Sequence, residues 1–148
     1  MNIKLNVKLS ILMSRFMRKM LALDRHDKAY HGVTLTQHYT IEILYRREVL
    51  TMNELSRELD LAISTLTRII DVLVRDGIVS RQSSAQDRRK VCVTLTKKGR
   101  NLAERLKSHT EQFWTKIFDA IPYEKKKEIG NNIKTLLEAL DKAGETHS

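Results

Sequence analysis

Little in this sequence cross-links or bends the chain. Of its 148 residues, one is cysteine, one is proline and five are glycine. With Cys92 alone, no intrachain disulfide can form, which excludes a small secreted scaffold held by disulfides. With Pro122 alone and glycines far apart, there is no low-complexity linker and no repeat. No apolar run is long enough to span a bilayer. The opening Met1–Met13 stretch begins like a signal peptide, but Arg15 and Arg18 stop it and no small-residue cleavage site follows. The expectation is a cytoplasmic protein without a membrane partner. Acidic residues are also in deficit, 18 against 27 basic ones, giving a formal net charge of +9 and a pI of about 9.8. Such a surplus favours a polyanion, either nucleic acid or an anionic membrane surface. The catalytic signatures are missing too: no glycine-rich phosphate loop, no nucleophile elbow and no HxxxH, HxH or CxxC spacing. The expectation is therefore no enzyme, no cofactor and no metal.

What is present is helical periodicity. With 41% hydrophobic residues the chain can fill a core. Leu5, Leu9, Leu12, Phe16, Met20 and Leu23 recur every three or four residues, predicting a helix from about Leu5 to Tyr30 that Gly32 ends. A second helix is expected near Thr36 as its N-cap, with Ile41, Leu44 and Tyr45 inward. Thr51-Met52-Asn53-Glu54 has the form of a capping box and starts a short helix with Leu55 and Leu59 inside. Asp60-Leu61 makes a turn into a helix from about Ser64 to Asp76, which Gly77 closes with a left-handed cap. Thr96 caps a long helix to about Ala120. Pro122 fits the first turn of a last helix carrying Ile129, Ile133, Leu136 and Leu140.

Between these helices lies the one stretch that reads as β structure. Gly77–Gln82 and Val91–Leu95 form a ribbon, with Val91, Val93 and Leu95 on one face and Cys92 and Thr94 on the other. Its tip carries Asp87, Arg88, Arg89 and Lys90. Arginines at a ribbon tip can reach a phosphate backbone or a narrow minor groove. In the preceding helix, Leu66, Ile69, Ile70 and Leu73 point inward, and Ser64, Thr65, Arg68, Asp71 and Arg75 lie opposite. Small hydroxyl residues let a helix sit deep in a major groove. Arg68 could bond guanine bidentately, and Ser64, Thr65 and Thr67 could bond base edges or phosphates. A polar helix face alone is usually just solvated. The capping box, tight turn, Gly77 and basic ribbon following in order point instead to a winged helix-turn-helix and to DNA.

These residues resemble a known family. Asp87-Arg88-Arg89, Val91, Val93, Leu95-Thr96 and Gly99 resemble the wing signature of MarR-type transcriptional regulators. Leu35-Thr36-Gln37, Asn53-Glu54-Leu55, Thr67-Arg68, Asp71, Leu73 and Gly77 are similar to the text upstream of that wing, and Gly77–Gln82 with Asp87-Arg88-Arg89 resembles the SlyA branch. The resemblance implies a mainly α fold with a small β-ribbon: one domain over residues 1–148. Residues of about 1–34 and 100–148 would be dimerisation helices and about 35–99 a winged helix-turn-helix lobe. It implies a homodimer on a pseudo-palindromic operator in double-stranded DNA. The helix bearing Ser64, Thr65, Thr67 and Arg68 would enter the major groove. A wing arginine, Arg89 rather than Arg88, would enter the minor groove with Asp87 orienting it. It also implies a pocket for a small aromatic or lipophilic effector.

Other residues carry less. Cys92 lies within a strand, where an inert thiol is expected rather than a redox sensor. His26, His31, His38, His109 and His147 lack metal-ligand spacing, although His38 and His109 could meet across helices. Phe16, Tyr39, Phe113 and Trp114 sit at helical spacing and are expected to pack rather than to bind a ligand. The apolar stripes of the first and last helices exceed what a lone winged-helix lobe must cover, which fits a helical dimer interface.

Overall fold

A computed structural model describes residues 3–83 and 90–145, with side chains for all of these except 23–31 and 145. The elements in order are α1 (Ile3–His31), α2 (Leu35–Arg47), β1 (Val49–Thr51), α3 (Met52–Leu59), α4 (Ile63–Arg75), β2 (Val79–Ser83), β3 (Val91–Leu95), α5 (Lys97–Asp119) and α6 (Tyr123–Glu145). The chain divides into two compact units, Met1–Lys107 and Ser108–Ser148.

In the first unit the core is a single apolar cluster. Ile41, Leu44, Leu55, Leu66, Ile70, Leu73 and Leu106 are almost wholly withdrawn from solvent, with Val93 of the sheet. Each contributes about 1.5–3 kcal/mol of transfer free energy, so these few side chains dominate what holds α2, α3, α4 and the sheet together. The helices begin where local chemistry directs. Thr51 takes the Glu54 amide at 3.2 Å while the Glu54 carboxylate accepts from the Thr51 amide at 2.8 Å, completing the expected capping box. The Thr51 amide first, and then the Thr51 hydroxyl, which donates to the same carboxylate at 2.7 Å, hold the Glu54 carboxyl below its ordinary pKa. A lowered folded-state pKa means that the box supports α3 above the usual carboxylate range and loses that support on acidification. Asp60 then turns the chain in the left-handed region, at φ 51° and ψ 48°, which aspartate tolerates better than most residues.

Three expectations shift. The cap of α2 is Thr34, not Thr36: Thr34 accepts from the Gln37 amide, and the Gln37 side chain accepts from the Thr34 amide. Thr36 lies inside the helix, where its carbonyl accepts from the Thr40 hydroxyl at 2.8 Å. The sheet has three strands rather than two, in the order β1-β3-β2 and all antiparallel. β1 is short because Thr51 ends it and caps α3 at once. As the central strand, β3 has Cys92 between Thr51 and Gln82. The predicted alternation of β3 holds for Val93 and Leu95, which are buried, but Val91 is exposed. Its register partner is Ser83, the last residue of β2, so it stands at the outer end of the ribbon beyond the core.

The junction of α4, β2 and α5 is tightly tied. The Gly77 amide donates to the Val74 carbonyl and the Ile78 amide to the Leu73 carbonyl, with Gly77 at φ 71°. That is the two-bond left-handed helix stop, with buried Leu73 and Ile78 as its apolar pair. The Thr96 hydroxyl donates to the Gly77 carbonyl at 2.6 Å and accepts from the Gly99 amide at 3.0 Å. Lys98 donates to the Asp76 carbonyl at 2.8 Å, a cation at a helix C-terminus where the dipole favours it.

Along α1, Leu5, Leu9, Leu12, Phe16 and Met17 are exposed. In the second unit, Ile133, Leu136, Leu137 and Leu140 of α6 are exposed as well. There Trp114 meets Phe113 edge-on, with centroids 5.3 Å apart, and stacks on Phe118 at 5.4 Å. Pro122 immediately precedes α6, its carbonyl accepting from the Lys125 amide at 2.9 Å. Among the described residues, no helix is long and apolar enough to cross a membrane.

Candidate nucleic-acid interface

The candidate site starts with α4. Its inner face is fixed by Leu66, Ile70 and Leu73, which are buried, and by Ile69, which packs against the cluster. That anchoring dictates what faces solvent: Ser64, Thr65, Arg68, Asp71 and Arg75 are all exposed. Ser64, Thr65 and Arg68 therefore share the first two turns of one helix side, as the sequence predicts. Thr67 differs. It is half-buried, and its hydroxyl donates to the Ile63 carbonyl at 2.8 Å, which leaves an oxygen lone pair to accept but commits its proton.

Asp87, Arg88 and Arg89 lie outside the described residues. The strands that carry them are described. β2 and β3 pair continuously from Val79↔Leu95 to Ser83↔Val91, so the segment between is closed at its base by a paired ribbon. This ribbon is also coupled to α4, through a residue whose sequence position marks it only as part of a strand. Arg81 of β2 places Nη2 2.6 Å from Asp71 Oδ1 and 3.5 Å from the Thr67 carbonyl oxygen. The pair neutralises the acidic group on the otherwise basic or neutral outer face of α4. The signal for it was weak: Asp71 and Arg81 belong to different elements, and neither periodicity places one beside the other.

Among the described residues there is no group of three or more His, Cys, Asp or Glu positioned to hold an ion. His38 is buried beside Tyr39, with ring centroids 5.9 Å apart, and His109 is half-buried in the second unit. Cys92 is half-buried within the central strand.

Two helices joined by a tight left-handed turn, the second stopped by a glycine and followed by a paired ribbon, constitute a winged helix-turn-helix. Residues 33–91 match the model of the MarR family. The chain is 26% identical over 115 residues to the HTH-type transcriptional regulator YwhA of Bacillus subtilis, covering 78% of this chain and 82% of that protein. Its structure is similar to that of FabT from Streptococcus pneumoniae in complex with DNA, with TM-score 0.81, 25% identity and coverage of 93% and 98%. A MarR transcriptional regulator from Methanosarcina mazei is similar at TM-score 0.76 and 26% identity, covering 91% of this chain and 97% of that one.

Proposed function

We propose that this protein is a sequence-specific DNA-binding transcriptional regulator, acting as a repressor, that holds a pseudo-palindromic operator as a homodimer. The observation that carries the reading is the outer face of α4, where Ser64, Thr65 and Arg68 stand exposed on a helix whose other side is locked into the core. A helix so held can enter a major groove without rearranging. Arg68 is assigned a bidentate contact to guanine, and Ser64 and Thr65 contacts to base edges or phosphates. Thr67 is assigned an accepting role. Arg89 is assigned to the flanking minor groove, with Asp87 orienting its guanidinium and Arg88 beside it at the backbone. The net charge of +9 supports the same partner, and so does the DNA complex of the structural relative. The protein then acts in the cytoplasm, where its DNA lies, and turns over no substrate. The direct test is a mobility shift with promoter DNA. Binding should weaken steeply with salt as phosphate contacts release counterions, and salt-independent binding or none would count against the reading.

Residues of about 35–99 form the DNA-binding lobe, and about 1–34 and 100–148 the dimerisation region. The exposed apolar side chains of α1 and, separately, of α6 support this assignment. Left in water they would be a standing cost, and a two-fold dimer covers them. Sedimentation at micromolar concentration should therefore give a dimer, whereas a stable monomer would contradict the assignment. A small aromatic or lipophilic effector completes the proposal. It would act by favouring a dimer whose two α4 helices no longer match a half-site separation of roughly 34–36 Å. Titrating aromatic acids into the protein–operator complex should release DNA, with oxidant and zinc as controls for Cys92 and for His38 or His109.

A further inference from the structure

The start of α4 departs from that of its neighbours. Thr34 and Thr51 begin α2 and α3 with complete capping boxes. Ala62 begins α4 with no side-chain cap hydrogen bond, although Ser, Thr, Asp or Asn at that place would stabilise the helix. The next residue, Ile63, is 42% exposed. The core does not need it, because Leu66, Ile69, Ile70 and Leu73 already supply the inner face of this helix. The leading end of the proposed reading helix therefore carries two apolar residues, Ala62 and Ile63, immediately before the hydroxyls of Ser64 and Thr65.

The floor of a major groove offers one apolar group that stands out from the base edges, the 5-methyl of thymine, among hydrogen-bond donors, acceptors and flat ring C–H edges. An apolar side chain at the tip of a groove-entering helix has that methyl as its matching surface. A serine or aspartate cap would present a polar group instead.

We propose that Ile63 is a specificity-determining residue that packs against the 5-methyl of one thymine in each half-site, so that the operator carries a required thymine that no hydrogen bond from the protein reads. This rests on the reading of α4 as the groove-entering helix. It adds an apolar contact to the polar ones assigned to Ser64, Thr65 and Arg68.

The test replaces the thymines of the bound operator by deoxyuridine, one symmetric position at a time, which deletes the methyl and leaves base pairing and every polar edge intact. At one position the parent protein should lose about fourfold in affinity per half-site, the value of burying a single methyl-sized group. Ile63→Ala should show about the same loss on the thymine operator and no further loss on the deoxyuridine one. Ile63→Val, which keeps both γ carbons and loses only the δ methyl, should retain part of the discrimination. The Ile63→Ala side chain is small and a good helix former, and its circular dichroism should match the parent. Deoxyuridine sensitivity that persists unchanged in Ile63→Ala overturns the proposal and assigns the methyl to another side chain, such as Thr65. An operator in which no thymine methyl matters overturns it as well. Absence of any sequence preference in the parent protein would instead remove the proposed function, so the two failures are distinguishable.

Discussion

Gly99→Ala should destabilise the protein by about 3 kcal/mol, at the upper end of what forced overpacking costs. The site leaves no room for one carbon. A Cβ there would collide with the Ile78 carbonyl oxygen and stand 3.0 Å from its carbon and 3.2 Å from Leu95 Cδ2. Neither the carbonyl nor the helix can yield independently. The Ile78 oxygen accepts from the Thr96 amide at 3.0 Å, and the Ile78 amide closes the end of α4. The Thr96 hydroxyl joins Gly77 to Gly99. Displacing the first turn of α5 therefore loosens the stop of α4 and the start of β2 together. For a chain of this size the melting temperature should fall by about 10 °C, read by thermal unfolding at fixed protein concentration. Gly130→Ala supplies the control with opposite sign. A Cβ at Gly130 meets nothing within 4 Å, and alanine inside an α-helix is favoured over glycine by about 1 kcal/mol. Equal melting temperatures for the two variants would mean that the close approach at Gly99 does not govern the fold.

The second large effect is expected on binding. Arg89→Ala should weaken operator affinity by about tenfold to a hundredfold while leaving the melting temperature unchanged. A minor-groove arginine is drawn by the enhanced negative potential of narrow A/T-rich tracts, so the loss should be greatest where such tracts flank the half-sites. Arg88→Ala should cost less and should act alike on all flanks, as a backbone contact does. A fluorescence-anisotropy titration across flanks of different composition separates the two. Unchanged affinity for both variants would take the wing out of the mechanism.

Local rules made much of the lobe legible in the sequence. The Thr51–Glu54 box, the left-handed Asp60 turn, the Gly77 stop and the Thr96 cap each depend on a few neighbouring residues, and each is found where its residues place it. The inner face of α4 was legible for the same reason, because helical period alone selects Leu66, Ile70 and Leu73. What escaped depends on partners distant in the chain. β1 is too short to show alternation and exists because β3 offers it a ladder. The exposure of Val91 follows from where the core ends, not from strand parity. The Thr34 cap is legible as a Thr-x-x-Gln pattern, but Thr36 two residues on is an equally good capping residue type and masks it. In the candidate site, Ser64, Thr65 and Arg68 stand outward as periodicity requires. The Arg81–Asp71 pair required knowing how β2 lies along α4.

The central claim, that the outer face of α4 reads base sequence, is tested most directly by selecting bound sites from random DNA and then measuring the affinity of Arg68→Ala for the selected site and for random DNA. A bidentate arginine–guanine contact is worth about 1–3 kcal/mol of discrimination. The variant should therefore lose about tenfold to a hundredfold on the selected site, lose little on random DNA, and accept other bases at one position of each half-site. An equal loss on both DNAs, with the selected sequence unchanged, would reduce Arg68 to a phosphate contact and contradict the account.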